Sequence, residues 1–159
     1  MTDYLTVIEV LAIHEDQIGR YGGSAGVRDR GLLEAALYRP QTGYYADLIE
    51  EAAALWESLA QNPPFIDGNK RTAFAATYTF LAINGGLITA KAEPTHAFII
   101  GLYEAGTFDF EHLTHWLREN VSPVQDETSD KEALDGEREA ALDERARDAQ
   151  EQDMGYKKR

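Results

Sequence analysis

At 159 residues with a formal charge of −13, the chain is long enough for one compact domain with a real core, and too acidic for the basic footprint that duplex nucleic acid requires. It has no cysteine, which excludes a disulfide framework, a thiolate metal site and a cysteine nucleophile, and suits a reducing cytoplasm. The first residues carry neither a basic region nor a long apolar segment, and no apolar run nears the roughly 20 residues of a membrane helix. The expectation is a cytoplasmic protein without signal peptide or membrane span.

Thr6 and Glu9 have the spacing of a capping box ahead of apolar Val7, Val10, Leu11 and Ile18, which predicts a first helix from about Val7 to Arg20. A loop with Gly22, Gly23 and Gly26 breaks it. Asp29 caps a short second helix through Leu32, Leu33, Ala36 and Leu37, stopped by Pro40. Gln41 to Ala46 reads as a turn or a small hairpin. From Asp47, the residues Leu48, Ala52, Leu55 and Leu59 recur at helical spacing, with Glu50, Glu51 and Glu57 on other faces; Pro63 and Pro64 end this third helix.

From Thr72 to Ile83 almost every residue is apolar or small, the pattern of a helix in the middle of a bundle, and Gly85 and Gly86 supply its stop. Leu87 to Lys91 reads as extended. Pro94 suits the first turn of a fifth helix through Phe98, Ile99, Leu102 and Tyr103, ended by Gly106; Asp109 caps a sixth with Phe110, Leu113 and Leu117 in register. Six helices with short links predict an all-α bundle over residues 1–121. Beyond Val121, 19 of the last 38 residues are charged. Residues 122–159 therefore read as a charged extension, either solvated and disordered or an amphipathic helix docked on the bundle.

The chemistry concentrates at the start of the central helix. Asp67, Gly68, Asn69, Lys70 and Arg71 precede its apolar run. A helix N-terminus offers backbone N–H groups, glycine permits close approach, and two cations stand beside them, a combination suited to a phosphate-like anion. It is not a Walker loop: the first glycine and the contiguous Gly-Lys-Thr are missing, and no strand precedes it. His14, His96, His112 and His115 lack metal-ligand spacing with a partner pair and read as packing or surface residues. Phe65 reads as an anchor of the loop in the core.

The stretch Asn62-Pro63-Pro64-Phe65-Ile66-Asp67-Gly68-Asn69-Lys70-Arg71-Thr72-Ala73 resembles the signature of the Fic/Doc family, H-x-F-x-[D/E]-[G/A]-N-x-R, and most closely its death-on-curing branch. Gly26-Val27-Arg28-Asp29, Leu33-Glu34-Ala35-Ala36-Leu37 and Arg39-Pro40-Gln41 extend the resemblance, which covers roughly residues 4–121. It implies the Fic fold, a helical bundle whose motif loop feeds a central helix. Fic enzymes move AMP or related groups from a nucleotide to a target hydroxyl, whereas Doc proteins phosphorylate elongation factor Tu and are neutralised by a partner antitoxin. The resemblance thus implies ATP or another nucleotide and Mg²⁺ as cofactors, and an antitoxin and a translation factor as partners, with no direct nucleic-acid or membrane binding.

By the same resemblance Asp67 is the Mg²⁺ ligand, with a helix N-cap as its plain alternative. Gly68, Asn69 and Thr72 join Lys70 and Arg71 in holding the nucleotide phosphates, the two cations neutralising their charge. Phe74 stands where adenylyl-transferring members carry a second arginine, which favours phosphoryl transfer. Thr128 and Glu132 have roughly the spacing of a Fic inhibitory motif, though Ala133 follows where Gly or Asn is expected. The main departure is Pro63, which occupies the place of the family histidine. That histidine is the general base, and proline has no titratable atom. Loss of general-base catalysis costs about 10²- to 10⁴-fold, so the chain as written is expected to be an impaired catalyst or a pseudoenzyme that binds nucleotide or antitoxin.

Overall fold

The computed structural model describes residues 1–124. They form six α-helices and two short strands: α1 (Val7–Tyr21), α2 (Arg30–Tyr38), α3 (Leu48–Gln61), α4 (Asn69–Ile83), β1 (Gly86–Ile88), α5 (Ala92–Ala105), α6 (Phe110–Asn120) and β2 (Val121–Pro123). The all-α expectation holds. The charged segment from residue 125 onward lies outside the described residues, and so do the readings placed on it, the docked helix and the Thr128–Glu132 spacing.

Local chemistry sets the helix starts. At α1 the Thr6 hydroxyl accepts from the Glu9 N–H at 3.3 Å while the Glu9 carboxylate accepts from the Thr6 N–H at 3.0 Å, a complete capping box. Asp29, Asp47 and Asp109 each accept the N–H three residues on, at 3.0 Å, and cap α2, α3 and α6. Such caps stabilise a helix by about 1 kcal/mol apiece.

Between α2 and α3 the connection is a turn and not the alternative small hairpin. Residues Arg39–Gln41 make one 3₁₀ turn with buried Pro40 inside it, and the chain then turns at Thr42 and left-handed Gly43 to reach the Asp47 cap. Proline stops α2 yet suits the first turn of a new helical segment, where its missing N–H is not needed.

Helix α3 is enclosed over most of its circumference, burying Ala52 to Trp56 and Ser58 to Ala60. It packs along α4 on one side and α6 on the other, while α4 also meets α1 and β1. Of the apolar run in α4, Ala73, Ala76, Thr77, Phe80 and Leu81 are buried, whereas Phe74, Ala75, Tyr78 and Thr79 are half-buried and Ile83 is exposed. Trp56 sits at the centre of the aromatic packing, edge-on to Phe74, Phe108 and Trp116 at 5.5–5.9 Å.

The extended segment after α4 is shorter than expected and starts one residue earlier. β1 pairs antiparallel with β2, Leu87 opposite Ser122, and the Val124 N–H donates to the Gly85 carbonyl at 2.7 Å. The helical unit therefore carries a last strand two residues past the expected boundary at Val121.

Candidate active site

The motif loop, residues 62–68, joins α3 to α4 and is laced to the glycine-rich loop after α1. Val27 and Phe65 form an antiparallel bridge. The Arg28 and Asp29 N–H groups both donate to the Pro64 carbonyl, at 2.7 and 3.0 Å, the Ile66 N–H donates to the Gly26 carbonyl, and the Arg28 guanidinium donates to the Pro63 carbonyl. Glycine is required at position 26, where φ is +117° and an added Cβ would stand 3.0 Å from the Ile66 side chain.

Pro63 is half-buried, with its carbonyl engaged by Arg28. Its ring offers no proton acceptor. Phe65 is 1% exposed, the anchor the sequence implies. It lies flat against His14, with ring centroids 3.8 Å apart and planes 4° apart. His14 is buried as well, and its Nε2 lies 2.8 Å from the Asp67 carbonyl oxygen.

Asp67 is half-buried. One carboxylate oxygen accepts the Ser24 N–H at 3.1 Å and the other the Gly68 N–H at 2.8 Å. It is not the helix cap. Gly68 is, in the left-handed conformation at φ +73°, and no side chain caps α4. A Cβ at position 68 would meet Ile18 at 3.0 Å and the Arg71 guanidinium at 3.2 Å. The first turn of α4 carries no acidic residue, in contrast to α1, α3, α5 and α6.

Asn69 ties the motif loop to the start of α4. Its side chain both accepts from the Phe65 N–H and donates to the Phe65 carbonyl, each at 2.9 Å, clasping the loop over the first turn of α4. Lys70 is exposed, with Nζ 4.3 Å from the centre of the Tyr103 ring. Arg71 is 5% exposed and turned inward, its guanidinium donating to the carbonyls of Gln17 at 3.5 Å and Gly22 at 3.0 Å. These carbonyls close α1, where a cation complements the helix dipole. Thr72 is 1% exposed, and its hydroxyl meets no hydrogen-bond partner among the described residues.

The structure thus gathers Pro63, Asp67, Gly68 and Lys70 at one turn, and sets Asn69, Arg71 and Thr72 beneath it. Sequence reasoning left out His14, Ser24 and Gln17 as parts of this turn. The available signal was that Val10, His14 and Gln17 fall at i, i+4 and i+7, so two polar residues occupy core positions of α1 and need internal partners. The other histidines take the surface or packing places expected of them: His112 pairs with Asp109 at 2.7 Å, His115 with Glu119 at 3.2 Å, and His96 is half-buried.

Among the described residues no group of three or more His, Cys, Asp or Glu side chains is arranged to hold a metal ion. A single carboxylate is enough for Mg²⁺ when ligand phosphates and water complete the shell, and Asp67 brings one to this turn, its oxygens accepting the Ser24 and Gly68 N–H groups. The donor chemistry of the turn fits a magnesium-bound polyphosphate.

A profile of the Fic/DOC family matches residues 4–81. Over 102 residues the chain is 47% identical to a protein of Mycolicibacterium smegmatis named "Toxin Doc", a match spanning 61% of this chain and 76% of that one. The chain belongs to the Fic/DOC family. It is also 38% identical over 81 residues to "Protein kinase doc" of Escherichia phage P1, covering 48% of this chain and 64% of the phage protein. Within this Fic/DOC chain no helix of the described residues is long and apolar enough to cross a membrane.

Proposed function

We propose that this chain is the toxin of a toxin–antitoxin pair, built to hold MgATP or another nucleotide at the α4 turn and to direct phosphoryl transfer to a hydroxyl of a translation factor, elongation factor Tu by family resemblance. The observation that carries this reading is the N-terminus of α4, begun by left-handed Gly68 with no side-chain cap. Its first-turn N–H groups point along the axis toward an anion, and the dipole favours negative charge there. The similarity to proteins named as a Doc toxin and a Doc kinase supports the same reading.

The residues divide the work. Asp67 would hold Mg²⁺, fixed by the Ser24 and Gly68 N–H groups. Lys70 would meet phosphate oxygens directly, as a point charge on a flexible stem. Arg71, bound to the α1 carbonyls, adds positive potential from below and ties the turn to α1. Asn69 and His14 keep the loop in shape through Phe65 and the Asp67 carbonyl. When bound, the nucleotide supplies the group transferred.

Position 63 is where the target hydroxyl would lose its proton, and Pro63 cannot accept it. The unaltered chain is accordingly a slow catalyst. The backbone there is already held by Arg28, so Pro63→His places an imidazole on a prepared loop. Pro63→His should inhibit growth when expressed without antitoxin and should transfer the γ-phosphate of labelled ATP to a translation factor in a cell extract. A folded Pro63→His protein that binds MgATP but neither inhibits growth nor transfers label would overturn the enzymatic reading. It would favour the second one, in which the chain holds nucleotide or antitoxin without chemistry; the feature behind that second reading is Pro63 itself.

A further inference from the structure

We propose that Tyr103 is a positioning residue for Lys70, an inference that rests on the nucleotide reading above. Lys70 is the second residue of α4, where the helix dipole and the buried Arg71 both repel an ammonium group. Its long side chain also has considerable rotamer freedom to lose before it can meet a phosphate. The Tyr103 ring answers both problems. With Nζ 4.3 Å from the ring centre, the ammonium is attracted by the negative face of the aromatic system, which orients a cation without discharging it.

The ring itself is held. Tyr103 lies on the last turns of α5 and stacks on Phe108 with centroids 4.4 Å apart and planes 11° apart. Phe108 is 3% exposed and packs edge-on against Trp56 at 5.9 Å. A continuous aromatic stack therefore runs from the Trp56 indole in the core, through Phe108 and Tyr103, to the ammonium at the rim of the turn. Helix α5, which supplies nothing to the sequence motif, reaches the nucleotide site by this path.

Titration of the full chain with MgATP tests the assignment, comparing the unsubstituted protein with Tyr103→Leu, Tyr103→Phe, Lys70→Ala and the Lys70→Ala/Tyr103→Leu pair. Tyr103→Leu should weaken binding about two- to fivefold, the size of a partly exposed cation–ring contact. Tyr103→Phe should bind as the unsubstituted chain does, because it keeps the ring. In the Lys70→Ala background, Tyr103→Leu should add nothing, since the two act as one unit. Unchanged binding by Tyr103→Leu, loss in Tyr103→Phe, or full additivity with Lys70→Ala overturns the proposal alone. Failure of the unsubstituted, folded chain to bind MgATP overturns the nucleotide reading and this inference with it.

Discussion

His14 Nε2 lies 2.8 Å from the carbonyl oxygen of Asp67, 53 residues further along the chain, and the same imidazole is stacked on Phe65. One side chain from α1 thus fixes both the anchor of the motif loop and the backbone of its carboxylate. With His14 buried, the carbonyl it serves would lose its partner on substitution. His14→Leu should cost about 2–4 kcal/mol, combining the lost stack and the unpaired acceptor. His14→Phe keeps the stack and should cost about 1–2 kcal/mol. Urea unfolding followed by tryptophan fluorescence gives both values, and equal losses in the two variants would show that the stack on Phe65 contributes nothing.

Asn69→Ala removes both hydrogen bonds of the clasp on Phe65. The expected cost is about 2 kcal/mol, since two backbone groups are left to find water. Amide exchange offers a sharper readout: the Phe65 N–H should lose protection while amides in the middle of α3 keep theirs. Unaltered protection at Phe65 would mean that the loop is held by its other ties, the bridge to Val27 and the His14 contacts among them.

Arg39 is the second internal tie. Its guanidinium donates to Tyr45 at 2.6 Å, Glu57 at 2.7 Å and Ser58 at 2.9 Å, and the other Glu57 oxygen accepts the Phe110 N–H at 2.6 Å. Burial would lower the Arg39 pKa, but the Glu57 and Tyr45 contacts hold it above its ordinary value. Arg39→Met leaves Glu57 half-buried without its cation and should destabilise by about 2–4 kcal/mol. Adding Glu57→Gln should cost less than the sum of the single losses, as measured by a denaturation cycle.

Two of the caps make stability depend on acid. The Asp109 carboxyl lies below its ordinary value of 3.8 because the His112 N–H and ring stabilise its charge. Burial tends to raise Asp47, yet the Arg118 hydrogen bond and the Glu50 N–H bring it below 3.8 as well. A depressed folded value means that the stabilising contribution is complete above the ordinary pKa and disappears as pH falls through the folded one. Unfolding free energy should therefore hold steady with respect to these groups down to about pH 5 and decline below about pH 4. Asp47→Asn and Asp109→Asn keep a capping oxygen but cannot titrate, so each should flatten the acid limb of a stability–pH curve. An acid limb unchanged in the double variant would assign it to other carboxyls.

Much of the architecture could be read in advance because the signals are local. Thr6 with Glu9, Asp29, Asp47 and Asp109 act within four residues, and Gly106 ends α5 by left-handed geometry that needs no distant partner. The motif located the turn. What it could not convey was how the polar groups there are shared out, since their partners are remote. Arg71 is drawn to the carbonyls that end α1, and the remote Ser24 joins the neighbouring Gly68 in bonding Asp67. Asn69 turns to Phe65 because four residues of a tight loop bring them face to face. The cap fell on Gly68 and not Asp67 because only glycine adopts the left-handed turn at little cost so close to Ile18 and Arg71.

The pairing of β1 with β2, fastened by Val124 to Gly85, also fixes where the rest of the polypeptide departs. That exit lies beside the C-terminal end of α4, about 20 Å along the helix axis from Gly68. A fusion partner or label appended after Val124 starts at the opposite end of α4 from the Gly68 turn. To fold back onto it, such an appendage would spend at least about six fully extended residues as tether.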